Sequence, residues 1–513
     1  MIPLQLQPES HIPLYVQLRD QLRALVHSGE LRSGDRIPAS RELASQLGVH
    51  RTTVANAYAE LESEGLIQGH VGRGTFICGA PARQFTPPPR TNGDGNGKMR
   101  WESLFADERA EEPLSRLMPN VPPDEIAFVT CRPSDDFFPV EDFRTCANAA
   151  LRNEGRRILQ LGCTDGFEPL KRVLIEMLRG EGLSVRTEQL LITGGCQQAI
   201  DLVCKAFLRP GDSVVLENPA YPGAMAIFSG ARIRMLAVGV ETDTRRMGYA
   251  GVDVDALETV LMQNRVKLLF LTPDFQNPTG TTLPVAERRR LLEIAARYQV
   301  PVVEDYIYAR LRLRGNVVPS LKSLDRTGNV IQIDSFSKIA FPGLRVGWCI
   351  GPESAIERLR VVKQAADLHS DQLSQAAVAE FVRRGHLGRH LAKMKKLYRG
   401  RLEALESALE KEMPEDTTWS RPEGGMSVWV TLPPGLDAGE LLIHVRERGV
   451  HFVPGRYFYF QNPQPNTLRL GFAGLDEKTI ARGVHTIADM LKAELRKRQR
   501  GARSEYTSRV ALV

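Results

Sequence analysis

The segment Asp334-Ser335-Phe336-Ser337-Lys338, followed by Gly343-Leu344-Arg345-Val346-Gly347, sets an amine beside two hydroxyls and, seven residues on, a guanidinium. That set suits an aldehyde carrying a phosphate: Lys338 forms a Schiff base while Ser335, Ser337 and Arg345 hold the dianion. Alone, S-x-S-K is a weak signal, because surface lysines after two serines are common. Further segments converge on it. Glu304-Asp305 closes an apolar run, so Asp305 either pairs with the N–H of a pyridine ring, making that ring an electron sink, or caps a helix. Tyr308 either reaches the phenolic oxygen of such a ring or simply packs. Asn277-Pro278-Thr279-Gly280 either offers an amide to the same oxygen or is only a turn. Thr193-Gly194-Gly195-Cys196-Gln197 joins a strand pattern to a helix pattern, so its N–H groups face an anion at a helix start. Tyr221, in Asn218-Pro219-Ala220-Tyr221-Pro222-Gly223, can stack on a flat ring.

These residues need strands to carry them. Leu190–Thr193, Ser213–Leu216, Val266–Leu271, Val300–Val303 and Asn329–Ile333 read as strands, most of them apolar throughout as in a buried parallel sheet. Helical stretches such as Gln197–Phe207 and Ala286–Tyr298 lie between them, and the alternation predicts an α/β domain.

A second chemistry sits near the N-terminus. Leu14, Leu18, Leu22 and Leu25 share one helix face that stops at Ser28-Gly29. Ser40 reads as the N-cap of a short helix ending at Gly48. A third helix runs from about Arg51 to Glu64, with Val54, Tyr58 and Leu61 inward and Gly65 as its stop. Leu66–Gln68 and Thr75–Ile77 then form a hairpin around Gly72-Arg73-Gly74. Two helices on a tight turn followed by a hairpin make a winged helix-turn-helix, or else a small interaction domain. In the first reading His50, Arg51, Thr52, Thr53 and Asn56 enter a major groove, with Arg41 beside them, and Arg73, Gly74 and Thr75 present a wing to a minor groove.

Charge alone points elsewhere. The chain has 513 residues and a formal net charge of +6. Seven of its basic residues against two acidic ones fall between Lys492 and Val513, whereas the first 80 residues hold seven Arg, no Lys and eight Asp+Glu. A basic C-terminal tail is most often a solvated helix end, less often a phosphate contact. A composition of 42% hydrophobic and 25% charged residues excludes disordered, collagen-like and coiled-coil chains. No run of about 18 apolar residues occurs, so no membrane span is expected. Seven scattered cysteines with no C-x-x-C pair argue against a disulfide framework or a metal site and fit a cytoplasmic protein. From Cys78 to about Asn120, Thr86-Pro87-Pro88-Pro89 and Asn92-Gly93-Asp94-Gly95-Asn96-Gly97 read as a linker.

Residues 11–77 resemble the GntR-type winged helix, through Gly34-Asp35-Arg36-Ile37-Pro38-Ala39-Ser40-Arg41, Leu47-Gly48-Val49-His50-Arg51-Thr52-Thr53-Val54 and Gly72-Arg73-Gly74-Thr75-Phe76. His50 departs from the family's usual Ser, which implies an altered helix cap. Residues 121–490 resemble the aminotransferases of fold type I. That resemblance implies a mostly parallel central sheet with a smaller C-terminal α+β subdomain, and pyridoxal 5'-phosphate as cofactor. It assigns Lys338 to the Schiff base, Asp305 to the ring nitrogen, Asn277 and Tyr308 to the ring oxygen, and Tyr221 to stacking. Gly195, Cys196, Gln197, Ser335, Ser337 and Arg345 would hold the phosphate. Arg469, in Leu468-Arg469-Leu470, would bind an α-carboxylate, unless it is a strand-edge salt-bridge partner. Cys196 stands where Ser or Thr is usual, and Leu161 where many relatives place a Tyr that reaches the phosphate across a dimer.

The combination is similar to the MocR subfamily of transcription regulators. It implies a winged helix over 1–77, a linker over 78–120, an effector domain over 121–490 and a basic tail over 491–513. The expected partners are double-stranded operator DNA, an amino acid, amine or vitamer effector, and a second copy of the chain. An aminotransferase with an accessory DNA-binding domain is the alternative. A DNA-binding protein with an inert large domain is the third reading.

Overall fold

The computed structural model describes residues 13–78 and 121–510, less 29, 32–33, 64–65, 71–73 and 244–246, together with Leu4 and Leu6. The chain divides into two compact units, Met1–Ala106 and Asp107–Val513. The expected linker beyond Cys78, Glu64, Gly65 and the Gly72-Arg73 turn all lie outside the described residues.

In the first unit, α1 (Leu14–Ser28), β1 (Arg36–Ile37), α2 (Ser40–Leu47), α3 (Arg51–Ser63), β2 (Ile67–His70) and β3 (Gly74–Ile77) enclose one core. Leu18, Leu22, Leu43, Val54, Leu61 and Ile77 are among its fully buried members. Gly48 ends α2 in the left-handed region at φ 64°, a conformation glycine adopts without Cβ strain. Two expectations change. Ser40 is the first helical residue, and Ala39, which has no side-chain acceptor, takes the cap position. The hairpin becomes a three-stranded sheet, because β1 pairs antiparallel with β3. A two-residue strand leaves no periodicity to read.

The second unit opens on the short strand β4 (Ile126–Ala127) and is built on an eight-stranded sheet of order β5-β12-β11-β10-β9-β6-β7-β8. The strands are β5 (Leu190–Thr193), β6 (Ser213–Asn218), β7 (Arg234–Glu241), β8 (Gly251–Val252), β9 (Val266–Leu271), β10 (Val302–Asp305), β11 (Val330–Ser335) and β12 (Gly347–Ile350). The ladders from β7 through β6, β9 and β10 to β11 are parallel, whereas β12 runs antiparallel to both its neighbours. Alternation along each strand feeds two cores. Leu268, Phe270 and Val303 pack with the helices Cys196–Phe207 and Glu353–Asp367, while Leu269, Leu271 and Val302 pack with Val254–Gln263 and Val285–Arg297. The run at Val300 becomes a strand only from Val302, because Gln299 turns the chain at φ 55° after the preceding helix. The next strand likewise starts at Val330 and continues to Ser335.

A smaller antiparallel sheet carries strands Thr418–Trp419, Ser427–Thr431, Thr467–Gly471 and Val453–Pro454 in that spatial order. Ile126–Ala127 pairs parallel with Val450–His451 beside it. The expected tail is not a separate segment. One helix runs from Glu477 to Val510, and Leu491 within it is fully buried; no Pro interrupts it, and no Gly falls between Gly483 and Gly501. No described helix is long and apolar enough to cross a membrane.

Candidate functional site

The carboxyl ends of the parallel strands bring the chemistry together, as in other open α/β sheets. Asp305 ends β10, Thr272 follows β9, and the Ser337-Lys338 segment follows β11. They open on a cavity of about 250 Å³. Of the residues singled out in the sequence, Lys338, Asp305, Tyr308, Asn277, Tyr221, Cys196, Gln197, Ser337, Arg345 and Arg469 line it. Gly195 and Ser335 do not.

Lys338 is enclosed. Its Nζ donates to the carbonyl of Cys131 at 2.7 Å and lies 5.9 Å from the centre of the Tyr308 ring. Burial lowers its pKa, which favours the neutral, nucleophilic amine. Burial pushes Asp305 up to about 7, with the backbone N–H of Ile307 at 3.2 Å opposing that shift. A cationic ring nitrogen beside Asp305 would return it to the carboxylate form.

The anion end is assembled from a turn and a loop. Gly195 takes φ 99° as it enters the helix Cys196–Phe207, and a Cβ there would come within 2.7 Å of the Arg345 guanidinium. The backbone conformation therefore calls for glycine, and a Cβ would in addition push the guanidinium end of Arg345 aside. Arg345 itself sits at φ 54°, and its Nη1 donates to Ser337 Oγ at 3.4 Å. Ser335 lies one layer back: its hydroxyl donates to the Val346 carbonyl at 3.0 Å and is 2.8 Å from Ser337 Oγ, so it braces the loop. Cys196 is buried, and burial raises its thiol pKa well above normal, leaving a neutral SH. Tyr221 donates its hydroxyl to Gln197 Oε1 at 3.1 Å, and Gln197 donates to the Gly223 carbonyl at 2.9 Å.

The opposite wall holds Arg469. It donates to Asn277 Oδ1 at 2.9 Å and to the Val129 carbonyl at 2.8 Å, and lies 4.8 Å from the centre of the Phe458 ring. Its Nε is buried without a hydrogen-bond partner. Among the described residues no carboxylate pairs with it, so the strand-edge salt bridge does not form. Leu161 is 75% exposed and outside the cavity lining.

Cys131 and Val129 were not evident as site residues, because they act through main-chain carbonyls, which any side chain supplies. Arg310 was missed as well. It forms a buried ion pair with Asp334 and a solvent-exposed one with Glu181, and Asp334 accepts the Ser335 N–H at 2.7 Å, which fixes the loop before Lys338.

In the first unit Arg41, His50, Arg51, Thr52 and Asn56 are exposed, Thr53 and Thr75 are half-buried, and Arg73 lies outside the described residues. His50 replaces the cap the sequence expectation removed: its Nδ1 lies 2.8 Å from Thr52 Oγ1 and 3.4 Å from the Thr52 N–H. Arg36, on β1, was missed. It is exposed, and its guanidinium packs over Gly74, where a Cβ would meet Nε at 2.8 Å.

A family model for aminotransferase class I and II matches residues 135–487, and one for bacterial regulatory proteins of the gntR family matches residues 14–77. The HTH-type transcriptional regulator TauR of Rhodobacter capsulatus is 31% identical over 95% of this chain and 98% of its own length. The chain belongs to the MocR subfamily of GntR-type transcription regulators. The probable rhizopine catabolism regulatory protein MocR of Rhizobium meliloti is 29% identical over 94% of the present MocR-type chain and 95% of its own. The large unit is also similar to LysN, the α-aminoadipate aminotransferase of Thermus thermophilus, whose structure holds N-(5'-phosphopyridoxyl)-L-leucine. There the TM-score is 0.71 at 37% identity, covering 77% of the MocR-type chain and 99% of LysN. The MocR-type chain therefore joins a GntR DNA-binding unit to a fold type I aminotransferase unit.

Proposed function

We propose that this MocR-type chain is a DNA-binding regulator whose large unit binds pyridoxal 5'-phosphate through a Schiff base on Lys338 and responds to an amino acid, an amine or the vitamer. The observation that carries the reading is one cavity holding a half-buried amine, a buried carboxyl and an arginine that has no carboxylate partner among the described residues. The residues fit the cofactor. A glycine turn at a helix start, Ser337 and Arg345 suit a phosphate, and Gly195 leaves the space a Cβ would fill. The cofactor would supply an aldehyde for amines and an electron-withdrawing ring.

Within the cavity Lys338 would hold the cofactor, Asp305 would keep a proton on its ring nitrogen, and Asn277 and Tyr308 would face the ring oxygen. Tyr221 would stack on the ring. Cys196 would contribute its N–H rather than its thiol. Arg469 would exchange Asn277 Oδ1 and the Val129 carbonyl for an effector carboxylate. The winged helix over 1–77 would use Arg41, His50, Arg51, Thr52, Thr53 and Asn56 on the major groove and Arg73, Gly74 and Thr75 on the minor groove, with residues 78–120 as linker. We expect a homodimer acting in the cytoplasm on an operator.

The same Lys338, Asp305 and Arg469 set permits transamination, so an enzyme with an accessory DNA-binding unit is the second reading. A relative named 2-aminoadipate transaminase, from Thermus thermophilus, is 39% identical over 73% of the chain. Steady-state transamination with a panel of amino donors and keto acids separates the two, run beside DNase footprinting on the region upstream of the gene. A footprint that shifts with an amine at negligible turnover supports the regulator. Robust turnover with no footprint overturns it.

A further inference from the structure

Behind the glycine turn lies a chain of polar side chains that none of the roles above uses. The Gly194 N–H donates to Gln198 Oε1 at 2.6 Å. Gln198 Nε2 donates to Asp367 Oδ2 at 2.7 Å. Lys363 Nζ donates to both oxygens of Asp367, at 2.8 and 3.0 Å. Lys363 is fully buried, although its side chain carries a charge. Asp367 is the last residue of its helix, where the macrodipole disfavours a carboxylate. A buried lysine and an adverse aspartate together are costly for mere packing, and the chain they form ends on the one turn that faces the anion.

From this we infer that Lys363, Asp367 and Gln198 position the phosphate-binding turn and set its preference for phosphorylated ligands. The inference rests on the cofactor reading. An amide has one accepting and one donating end, and the two look alike in shape. Asp367 accepts only, so it draws the Gln198 NH2 towards itself and turns Oε1 to Gly194. Lys363 holds both oxygens of Asp367 from the far side. With Gly194 tied back, the chain enters Gly195 at φ 99°, and Cys196 and Gln197 of the first helical turn, whose N–H groups have no partner within the helix, line the cavity. A reversed amide would set NH2 against the Gly194 N–H and release the turn. These are positioning residues: none of them lines the cavity.

The test uses the full-length, cofactor-free protein, titrated with pyridoxal 5'-phosphate, with pyridoxal and with inorganic phosphate alone. Gln198→Leu is expected to weaken pyridoxal 5'-phosphate and inorganic phosphate by about tenfold or more, the usual scale for losing an outer partner of a ligand site. Pyridoxal, which lacks the phosphate, should change by less than about twofold. Gln198→Glu should also weaken both phosphate ligands, and adding Asp367→Asn to it should recover much of the loss, because the pair again offers one acceptor and one donor in register. Equal losses for pyridoxal and its phosphate, or no loss for either, overturn the inference. So does a Gln198→Glu/Asp367→Asn protein no better than Gln198→Glu, a comparison that survives if Gln198→Leu fails to fold. A wild type that binds pyridoxal and its phosphate equally, and forms no adduct on Lys338, overturns the cofactor reading instead.

Discussion

Arg469 shows how much one buried side chain can decide. Its partners are an amide oxygen and a main-chain carbonyl, both neutral, and a carboxylate would make stronger, charge-assisted bonds in their place. Arg469→Ala should therefore weaken the response to amino acids by about 1–3 kcal/mol while leaving simple amines unaffected. Calorimetric titration with matched acid and amine pairs checks this, and equal losses would refute the role. Lys338→Ala should abolish the borohydride-trappable cofactor adduct, read by intact mass. Asp305 gives a pH signature. Its pKa is raised on folding to about 7, so the folded, cofactor-free protein binds more protons than the unfolded chain between about pH 4 and 7. Stability should fall as pH rises through that window. Asp305→Asn should make the fall shallower, the remainder belonging to the other buried acids Glu217, Glu304 and Asp334. Thermal melts at intervals across that window measure it. At this scale the sequence was informative where a side chain acts and silent where a carbonyl does, as at Val129 and Cys131.

Among the elements, what could be read depended on length and on how uniform the burial is. β9 was legible residue for residue, because Val266–Leu271 is an apolar run broken only by the exposed Lys267 and closed by Thr272-Pro273. β12 was not, since four residues after a glycine–arginine loop carry no period, and their antiparallel direction is set by neighbours far away in sequence. β7 was hidden differently: only Val238 of its eight residues is fully buried, so its pattern is mixed. The glycine turn was legible as an anion seat, but the demand of Arg345 for space at Gly195 was not. Gly195→Ala should weaken pyridoxal 5'-phosphate more than pyridoxal, by paired titrations, with the fold retained by circular dichroism. In α3 the exposed Arg51 stands at the helix start, where a groove-reading residue belongs. Arg51→Ala should cost about 1–3 kcal/mol of specific operator affinity and little non-specific affinity, measured by mobility shift at fixed salt. An unchanged operator affinity would place the reading surface elsewhere.

Across the whole molecule, net charge misleads. The first 80 residues carry more acidic than basic side chains, so a DNA contact there would have to come from a few placed arginines rather than from bulk charge. The basic excess sits instead on the end of the last helix. Ligand and DNA binding, if coupled, should change each other's affinity by the same factor, about 5- to 150-fold for ordinary couplings. Titrating the effector with and without operator measures that reciprocity. One stretch of backbone bears on the coupling. Val129 gives its carbonyl to Arg469 and Cys131 gives its own to Lys338, two residues apart on one strap. Three kinds of ligand would leave this strap in three different settings. On the proposed roles, the vitamer alone would take Lys338 and leave Arg469. A simple amine would return Lys338 and leave Arg469. An amino acid would return Lys338 but take Arg469. Three residues of main chain would thus work as an indicator that distinguishes classes of compound by which of its two tethers is fastened.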